Sequence, residues 1–398
     1  MFRHLLKLIW KRKTRNMMLS LEILLAFVIV FAIAAAGLRN YQLYQLPTGF
    51  DRKDVWAVEI NGAGGYLAGP SFDTYDQFKR GLLSLPGVQQ VAFVTFAPYM
   101  HASSHTNFTG ENARQVSTEI TFVSDDFFSL LGIKVIKGRP FDHRDEGAVV
   151  TPVVINRRIA LEMFGTTDVL GKQFNSEDGG KTSIEMKRVV GVIEDYRKKG
   201  EFDAPANMVI ARHTVANKDG PRSILIKMAP GTPRAFEKTL SRQLKLLNNG
   251  WTYRIVPLEA LRASAMHDVA TPLVVLAVIA AFLLLMVAFG LFGVLWQNTT
   301  RRIPEIGLRR AIGANTADIY RQIIAEQFLL SSGAMLIALL LLVQLPITGA
   351  LGDGLNWPVF LAAAAVSMAV IYLLSLLCSV YPGWRASRMS PTEALHYE

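Results

Sequence analysis

The sequence is poor in cysteine and in charged residues. Cys378 is its single cysteine, so an internal disulfide is impossible and a disulfide-stapled secreted module is excluded. Asp, Glu, Lys and Arg make up 19% of the 398 residues, against about 25% in an ordinary soluble domain. Leu, Ile, Val and Phe are abundant, which excludes low-complexity disorder. The missing charge is concentrated in a few uninterrupted apolar runs, which indicates a membrane protein and excludes a wholly soluble enzyme.

Four runs of the chain are long and apolar enough to cross a bilayer, which takes about 20 residues at a rise of about 1.5 Å each. The second and fourth runs contain no charged residue, and Pro346 follows the third. We predict transmembrane helices at residues 18–38, 271–296, 328–345 and 357–380.

Lys and Arg cluster beside these runs. The net charge is +10; residues 1–16 contribute six basic residues and no acid, and residues 297–327 contribute five Arg against three acids. Residues 39–271 hold 29 basic and 25 acidic residues, so they are nearly neutral for their length. This is the pattern of a membrane topology signal and not of a nucleic-acid groove. No nucleic-acid partner is expected.

The basic flanks predict that both termini are cytoplasmic. The predicted cytoplasmic parts are residues 1–17, 297–327 and 381–398, and the extracytoplasmic parts are residues 39–270 and the short loop 346–356. Residues 1–17 are expected to form an amphipathic interfacial helix on membrane lipids, because apolar and basic side chains fall on different faces. A cleavable signal peptide is the alternative for the N-terminus, but the apolar stretch has the length of a full span.

The large extracytoplasmic segment reads as mixed helix and strand. Helical patterns occur at residues 72–84, 125–131, 156–164 and 233–248, with Ser124 and Thr232 as expected N-caps of the second and fourth. Strands are expected at residues 54–60, 88–97, 116–123, 149–155, 187–193, 207–212, 222–228 and 252–257. The predicted fold class is therefore four membrane-spanning α-helices plus an α+β extracytoplasmic domain inserted between the first and second spans.

No catalytic, cofactor-binding or metal-binding constellation is found. Gly180-Lys181-Thr182 lacks the leading glycine and the strand–loop–helix context of a phosphate-binding loop. His101 and His105 have a metal-type spacing but lie in a Ser-rich segment that we interpret as a solvated loop. His143 is interpreted as part of a charged turn, and Cys378 as an apolar filler of the fourth span.

The most informative stretch is the cytoplasmic loop. Pro304 suits the first position of a short helix, Glu305 its first turn, Arg309 and Arg310 its last turn, and Gly313 the residue after its end. A helix of this length is unstable alone in water, so we expect its apolar residues to dock onto the membrane surface or a partner, in preference to a solvated connector. These apolar residues are Ile306, Leu308, Ala311 and Ile312, and a second helix is expected to begin near Asn315.

Two motifs give the chain a resemblance to a known family. Residues 305–314 and 381–395 resemble the signatures of the MacB/FtsX/LolC–LolE permease family of ABC transporters, and residues 122–132, 138–141 and 189–192 resemble its MacB-type periplasmic core. The residues that match the C-terminal motif are Pro382, Arg385, Ala386, Ser387, Arg388, Pro391, Glu393, Ala394 and Leu395. Gly383, Trp384 and His396 depart from the usual pattern of that motif.

The resemblance implies a permease subunit of the bacterial cytoplasmic (inner) membrane. Such permeases dimerise, with an identical or a second permease, and pair with a dimer of ATPase subunits that bind ATP and Mg. The resemblance identifies residues 304–313, Pro304, Glu305, Ile306, Gly307, Leu308, Arg309, Arg310, Ala311, Ile312 and Gly313, as the coupling helix that docks onto the ATPase. Because no ATP-binding motif is found here, the ATPase is expected on a separate chain and this subunit is expected to be non-catalytic.

MacB-type members turn ATP hydrolysis into motion of the extracytoplasmic domain, which is called mechanotransmission. The expected function is export of a peptide, an antibiotic or other toxic compound, or an envelope component, in Gram-negative cells with a periplasmic adaptor and an outer-membrane channel. Lipoprotein release of the LolC–LolE type, FtsX-like regulation of cell-wall hydrolases and a sensor without an ATPase are the alternatives. Glu22 and Gln344 are two polar residues in or near the spans for which a functional role is conceivable. Gln344 has a side chain able to bond across helices, and structural roles are expected for both.

Overall fold

A computed structural model describes residues 13–61, 72–109, 115–177, 185–213 and 222–388. The chain divides into two compact units. We call residues Met1–Gln42 with Ala270–Glu398 the membrane unit, and residues Leu43–Val269 the inserted domain. The predicted interfacial helix lies largely outside the described residues, because the first described helix begins at Lys13.

Four helices of the described residues are long and apolar enough to cross a membrane. They are α1 (Lys13–Gln45), α6 (Leu258–Thr300), α8 (Thr316–Leu342, extended by the short α9, Gln344–Thr348) and α10 (Trp357–Arg388). Between α6 and α8 lies the short helix α7 (Ile303–Ala311). The four-span fold class is thus confirmed, and every helix continues beyond the apolar run that predicts it.

Two prolines near the ends of predicted spans lie inside helices. Pro346 is the third residue of α9, where a missing N–H costs nothing because first-turn N–H groups have no intrahelical acceptor. Pro382 lies inside α10, which runs on to Arg388. The fourth helix therefore extends eight residues past the predicted end of its span at residue 380.

The membrane unit is held by apolar packing with a few polar bonds between helices. Phe31 of α1 meets Phe360 of α10 edge to face, with ring centroids 5.3 Å apart. Ser331 and Ser375 join α8 to α10 through a hydroxyl–hydroxyl bond of 2.8 Å. Cys378 is buried and its thiol donates to the carbonyl of Ala288, which agrees with a filler role.

The polar residues of the spans differ in their surroundings. Glu22 is half-buried, and it packs so closely on Gly290 of α6 that a Cβ there would lie 2.3 Å from its Oε1 atom. Gln344 has an exposed side chain, so the expected bond across helices is not seen among the described residues.

The inserted domain contains one sheet, of which one part is open and antiparallel and the other part closes on itself. Its strands are β1 (Val55–Asn61), β2 (Val88–Val94), β3 (Ser104–Thr109), β4 (Gln115–Val123), β5 (Val135–Gly138), β6 (Thr151–Asn156), β7 (Gln173–Glu177), β8 (Glu185–Ile193), β9 (Met208–Arg212), β10 (Ser223–Met228) and β11 (Thr252–Pro257). Its helices are α2 (Phe72–Leu83), α3 (Phe127–Leu130), α4 (Arg157–Phe164) and α5 (Phe236–Leu247).

The outer strands form an antiparallel sheet in the order β11-β1-β10-β2. With α2 after β1 and α5 before β11, this is the split βαβ arrangement of ferredoxin-like folds. Apolar residues of α2 and α5, among them Phe78, Leu82, Leu240 and Leu244, pack on one face of the sheet.

The chain between β2 and β10 forms a ring of six strands. The order β4-β3-β7-β8-β6-β9 closes because β9 pairs in parallel with β4. The interior is filled by side chains such as Phe108, Val153, Ile155, Phe174 and Val209. Closure removes the free edges that this part of the sheet would otherwise expose.

Each of the eight predicted strands overlaps an observed strand, but β3, β5 and β7 are not predicted. β3 and β7 have mostly polar sequences, and they exist because they pair with β4, with β8 and with each other. The loop interpretation of His105 is therefore wrong, because His105 lies in β3 opposite Glu119.

The two predicted N-caps are also wrong. The Ser124 hydroxyl accepts from the N–H of Phe93 on β2, and α3 begins only at Phe127. The Thr232 hydroxyl donates to the carbonyl of Ala229 and closes its own turn, and α5 begins at Phe236. In both places the hydroxyl is used by a neighbouring backbone group, so it does not cap the helix.

Candidate functional site

Helix α7 has the start and end residues that the sequence predicts, but it begins one residue earlier than expected. Ile303 is its first residue, so Pro304 and Glu305 occupy its first turn rather than Pro304 being first. After Ala311, Gly313 adopts a left-handed backbone with φ of 103°. The N–H of Ala314 then bonds to the carbonyl of Arg309 over 3.0 Å, which closes the C-terminal end of the helix.

One face of α7 packs on the chain's own next helix. Ile303 and Ile306 are each only 6% exposed. Ile306 lies in a small apolar cluster with Ile319 and Ile323 of α8 and Ala314 of the turn. The expectation that Ile306 belongs to an outward docking surface is therefore wrong, since packing within the hairpin already buries it.

Charged and amide side chains join α7 to α8 beside that cluster. Arg302 Nη1 donates to Glu326 Oε2 over 2.6 Å, and Gln322 Nε2 donates to Glu326 Oε1 over 3.1 Å. Arg309 donates to Gln322 Oε1 over 3.0 Å and to Glu305 Oε1 over 2.5 Å. We call these five residues the polar ring. They line a cavity of about 80 Å³ together with Asn298, Thr299 and apolar neighbours.

The other side of α7 faces outward. Leu308 is 56% exposed and Ile312 is 78% exposed, and Ala311 is exposed as well. These three residues form what we call the outer face of α7. The side chain of Arg310 lies outside the described residues. The outer face is therefore an exposed apolar surface on a helix whose opposite side is packed against α8.

The C-terminal motif lies next to the same hairpin. Helix α10 contacts α7, and Gly383 lies against Tyr320 of α8 so closely that a Cβ would be 3.1 Å from the ring. Arg385 lies over the ring of Trp296 at 4.7 Å from its centroid, and Trp296 stacks on Tyr381 at 5.9 Å. Gly383, a departure from the family pattern, thus fits a place that only a glycine fills without movement.

Parts of the predicted site cannot be placed. Pro382 is buried and Ala386, Ser387 and Arg388 complete α10. Pro391, Glu393, Ala394 and Leu395 lie outside the described residues. The sequence reasoning missed Gln322, Glu326, Tyr320 and Trp296. Only the i,i+4 spacing of Gln322 and Glu326 marks a shared helix face, and nothing local shows that it faces α7.

The other sequence candidates remain separate from this site. His101 lies 3.8 Å from Asp268, with both side chains largely exposed, and His105 bonds to Ser103. Among the described residues no three His, Cys, Asp or Glu side chains come close enough to hold a metal ion. Gly180-Lys181-Thr182 lies outside the described residues.

His143 lies in a short 3₁₀ turn with several charged residues, as interpreted from the sequence. Arg139 binds the buried carboxylate of Asp145 with two bonds of 2.6 and 2.7 Å. Burial alone would raise the pKa of Asp145, but these bonds and one from the Asp142 N–H outweigh it, and the pKa is lowered. The turn is a structural ion-pair cluster.

Comparison with known families accounts for nearly the whole chain. The MacB-like periplasmic core domain matches residues 17–242, and the FtsX-like permease C-terminal family matches residues 277–391. The macrolide export ATP-binding/permease protein MacB 1/2 of Paracoccus denitrificans is 24% identical, over 96% of this chain and 56% of its own length. The uncharacterized ABC transporter permease YknZ of Bacillus subtilis is 22% identical, over 97% of this chain and 96% of its own length.

The chain spans between 56% and 60% of the length of the MacB proteins from Paracoccus denitrificans and Neisseria gonorrhoeae. Two solved structures also resemble it. The periplasmic region of MacB from Actinobacillus actinomycetemcomitans covers 56% of this chain and 97% of its own, with 15% identity and a TM-score of 0.40. The extracellular domain of YknZ covers 50% of this chain and 99% of its own, with 14% identity and a TM-score of 0.36.

Proposed function

Because the chain belongs to the family of ABC transporter permeases with a MacB-like periplasmic core domain and an FtsX-like C-terminal region, we propose that it couples an ATPase to movement of its inserted domain. Membership makes it an inner-membrane protein with a periplasmic domain. In the proposed function, α7 is the coupling helix, lies in the cytoplasm and receives the ATPase. The membrane helices then carry the motion to the inserted domain.

The observation that carries this proposal is the outer face of α7. Leu308 and Ile312 are exposed, while Ile303 and Ile306 fix the opposite face to α8. A helix that is fastened by apolar packing and by the polar ring moves together with α8, so force applied to the outer face reaches a membrane helix. A solvated connector would not need this attachment to α8.

We place the ATPase on a separate chain. The relative YknZ, named as a permease, matches this chain over 96% of its own length. We propose a complex of two such ATPase subunits with two permease protomers. ATP and Mg would be bound by the ATPase, and no step of the chemistry is assigned to residues of this chain.

For the periplasmic side we propose export of a peptide, a toxic compound such as an antibiotic, or an envelope component. The relatives named as macrolide exporters support export, and the MacB-like core match over residues 17–242 includes most of the inserted domain. The domain would move between states driven by the ATPase without carrying the substrate through the membrane.

Purification of the tagged chain in mild detergent tests the proposal. We expect an ATPase subunit to co-purify and the eluate to hydrolyse ATP. The double variant Leu308→Asp with Ile312→Asp should lose both the subunit and the hydrolysis. The matched control Leu246→Asp changes a leucine that is 76% exposed on α5 of the inserted domain, and it should retain both.

The other proteins in the eluate separate export from its alternatives. A periplasmic adaptor supports export. A cell-wall hydrolase or its activator would replace export by regulation. Absence of an ATPase from the wild-type eluate, under conditions that keep the chain folded, would contradict the proposed function.

A further inference from the structure

Both connections between the inserted domain and the long helices meet one loop of the domain. This loop comprises residues 194–207 and links β8 to β9, two strands of the six-stranded ring; we call it the joint loop. The first connection is the entry segment, residues 46–52, which follows α1. The second is the exit turn, residues 258–262, which begins α6.

Backbone contacts fix the entry segment to the joint loop. The buried Arg197 donates through its side chain to the carbonyl of Leu46 over 2.8 Å and through its N–H to the carbonyl of Thr48 over 2.9 Å. Gly49 has φ of 85°, and a Cβ there would lie 1.9 Å from the carbonyl oxygen of Asp195. The backbones of the entry segment and the joint loop are therefore in direct contact at Gly49.

The joint loop is itself braced against the ring. Asn156, at the start of α4, is buried and donates to Asp195 Oδ1 over 3.0 Å and to the carbonyl of Ala206 over 2.8 Å. Its side-chain oxygen also accepts from the N–H of Met208, the first residue of β9. One amide thus holds both ends of the loop, so a displacement of the loop is passed to strands β8 and β9.

A single carboxylate links both connections. The Glu201 side chain is 9% exposed and accepts from Arg262 Nε of the exit turn over 2.5 Å. The same oxygen lies 3.8 Å from Arg52 Nη1 of the entry segment, and Arg52 Nε lies 3.2 Å from Glu259 of the exit turn. Charge alternates through the four side chains, Glu259, Arg52, Glu201 and Arg262.

The apolar contacts of the exit turn are independent of this cluster. Leu258 and Leu261 are buried in the same core cluster as Phe50 and Tyr196, so they hold the start of α6 to the domain without any charge. Apolar contacts are not directional, whereas ion pairs with fixed hydrogen bonds set the relative orientation of the elements they join. Glu201 is therefore placed to fix orientation rather than to keep the domain folded.

We propose that Glu201 is a positioning residue that holds the entry segment and the exit turn in one fixed relation to the joint loop, so that movement of the two long helices displaces the six-stranded ring as a unit. This inference rests on the proposed function, because it concerns how ATPase-driven motion enters the domain. Neutralising Glu201 removes the negative charge that faces Arg262 over 2.5 Å and Arg52 over 3.8 Å, and so weakens the tie between the two connections.

The test uses the full chain in complex with its ATPase in lipid nanodiscs. Cys378→Ala removes the single cysteine, and a fluorophore pair is attached at Leu161→Cys, on α4 against the six-stranded ring, and at Leu351→Cys in the membrane unit, both at exposed residues. Three measurements are made on each variant: the ATP-driven change in transfer efficiency, the ATPase rate and the thermal midpoint. The key variant is Glu201→Gln.

Asp125→Asn is the matched control. It neutralises an acid that binds Arg212 of β9 through bonds of 2.7 and 2.9 Å, away from both connections. We expect Glu201→Gln to lose at least half of the ATP-driven change, with an ATPase rate within twofold of the wild type and a thermal midpoint no lower than that of Asp125→Asn. Glu201→Asp, which keeps the negative charge, should retain more of the change than Glu201→Gln.

Two contrary outcomes are distinguishable. If the wild type shows the ATP-driven change and Glu201→Gln shows it equally, or Asp125→Asn loses as much, the role of Glu201 is overturned and the proposed function stands. If the wild type shows no ATP-driven change while its ATPase is active, the proposed function fails and the inference fails with it.

Discussion

Arg302 and Glu326 form an ion pair of 2.6 Å between the residue that precedes α7 and the middle of the next helix, α8. Twenty-four positions separate the two residues, yet both side chains are mostly buried. With Glu305, Arg309 and Gln322 they make up the polar ring, which lies beside the Ile306–Ile319 contact. Helix α7 is consequently fastened to α8, and the coupling role that we propose for it depends on this attachment.

The polar ring predicts that Glu305→Lys uncouples ATPase stimulation. The substitution removes the acceptor of Arg309 and places two positive charges one helical turn apart. A loss of about 1 kcal/mol lowers the ratio of correctly held to displaced α7 by about fivefold. Stimulation of the ATPase by the chain should fall accordingly, while membrane insertion, followed by protease protection, stays intact.

Gly307→Leu should have the same effect by a different cause, because Gly307 is buried and a larger side chain displaces α7. Glu237→Lys, on the surface helix α5 of the inserted domain, is the charge-matched control and should stimulate as the wild type does. Full stimulation by both α7 variants would remove the coupling role from this helix.

Contact between α10 and α8 predicts a size limit at Gly383. A Cβ would lie 3.1 Å from the Tyr320 ring, so Gly383→Leu must push the end of α10 away from α8. We expect a loss of about 1–3 kcal/mol, visible as a lower thermal midpoint of the detergent-solubilised chain. Gly333→Leu is the control, since no atom lies within 4 Å of a Cβ built there. Equal stability of the two variants would refute the contact.

A fully buried ion pair joins Lys198 of the joint loop to Glu119 of β4. Removing one partner leaves an unpaired buried charge, which costs about 3–5 kcal/mol, whereas replacing both by apolar residues is often neutral. Glu119→Leu and Lys198→Met should each lower the thermal midpoint by roughly 6–20 °C. The double variant should recover most of this loss, and additive losses would contradict the pairing.

His213 predicts that the inserted domain loses stability in acid. Burial first, and then the nearby Arg212, lower the pKa of His213 from 6.5 to about 4. Between these values the unfolded chain binds a proton that the folded chain does not, so stability falls as pH decreases from about 6.5 to 4. The full effect is roughly 3 kcal/mol.

Chemical unfolding at several pH values measures this slope, and His213→Gln should flatten it. The variant's stability at pH 7 is not the readout, because the substitution also changes packing against Tyr75. An unchanged slope in the variant would assign the acid sensitivity to other groups.

Local signals in the sequence predict a large part of this fold. The four spans follow from charge-free runs, and α7 follows from Pro304, Glu305 and Gly313, because capping and turn preferences act within a few residues. The eight apolar strands are found for the same reason, since alternating or continuous apolar runs record burial directly.

The features that the sequence does not predict depend on contacts between segments that are distant along the chain. Closure of the six-stranded ring needs β9 to reach β4, and the polar strands β3 and β7 have no apolar signal of their own. The inward direction of Ile306 depends on Ile319 across a turn, and the Arg302–Glu326 pair spans two helices. No local pattern encodes the partner in such pairs, so sequence periodicity alone identifies the elements and not their pairing.

Site-specific photo-crosslinking tests whether α7 contacts the ATPase. A photoreactive residue replaces Leu308 or Ile312 on the outer face, and in the control it replaces the exposed Leu246 of the inserted domain. We expect a covalent adduct with an ATPase subunit when the photoreactive residue is at position 308 or 312, and no such adduct when it is at position 246. Absence of the ATPase from both α7 positions, or its capture from position 246 alone, would contradict the assignment of α7 as the coupling helix.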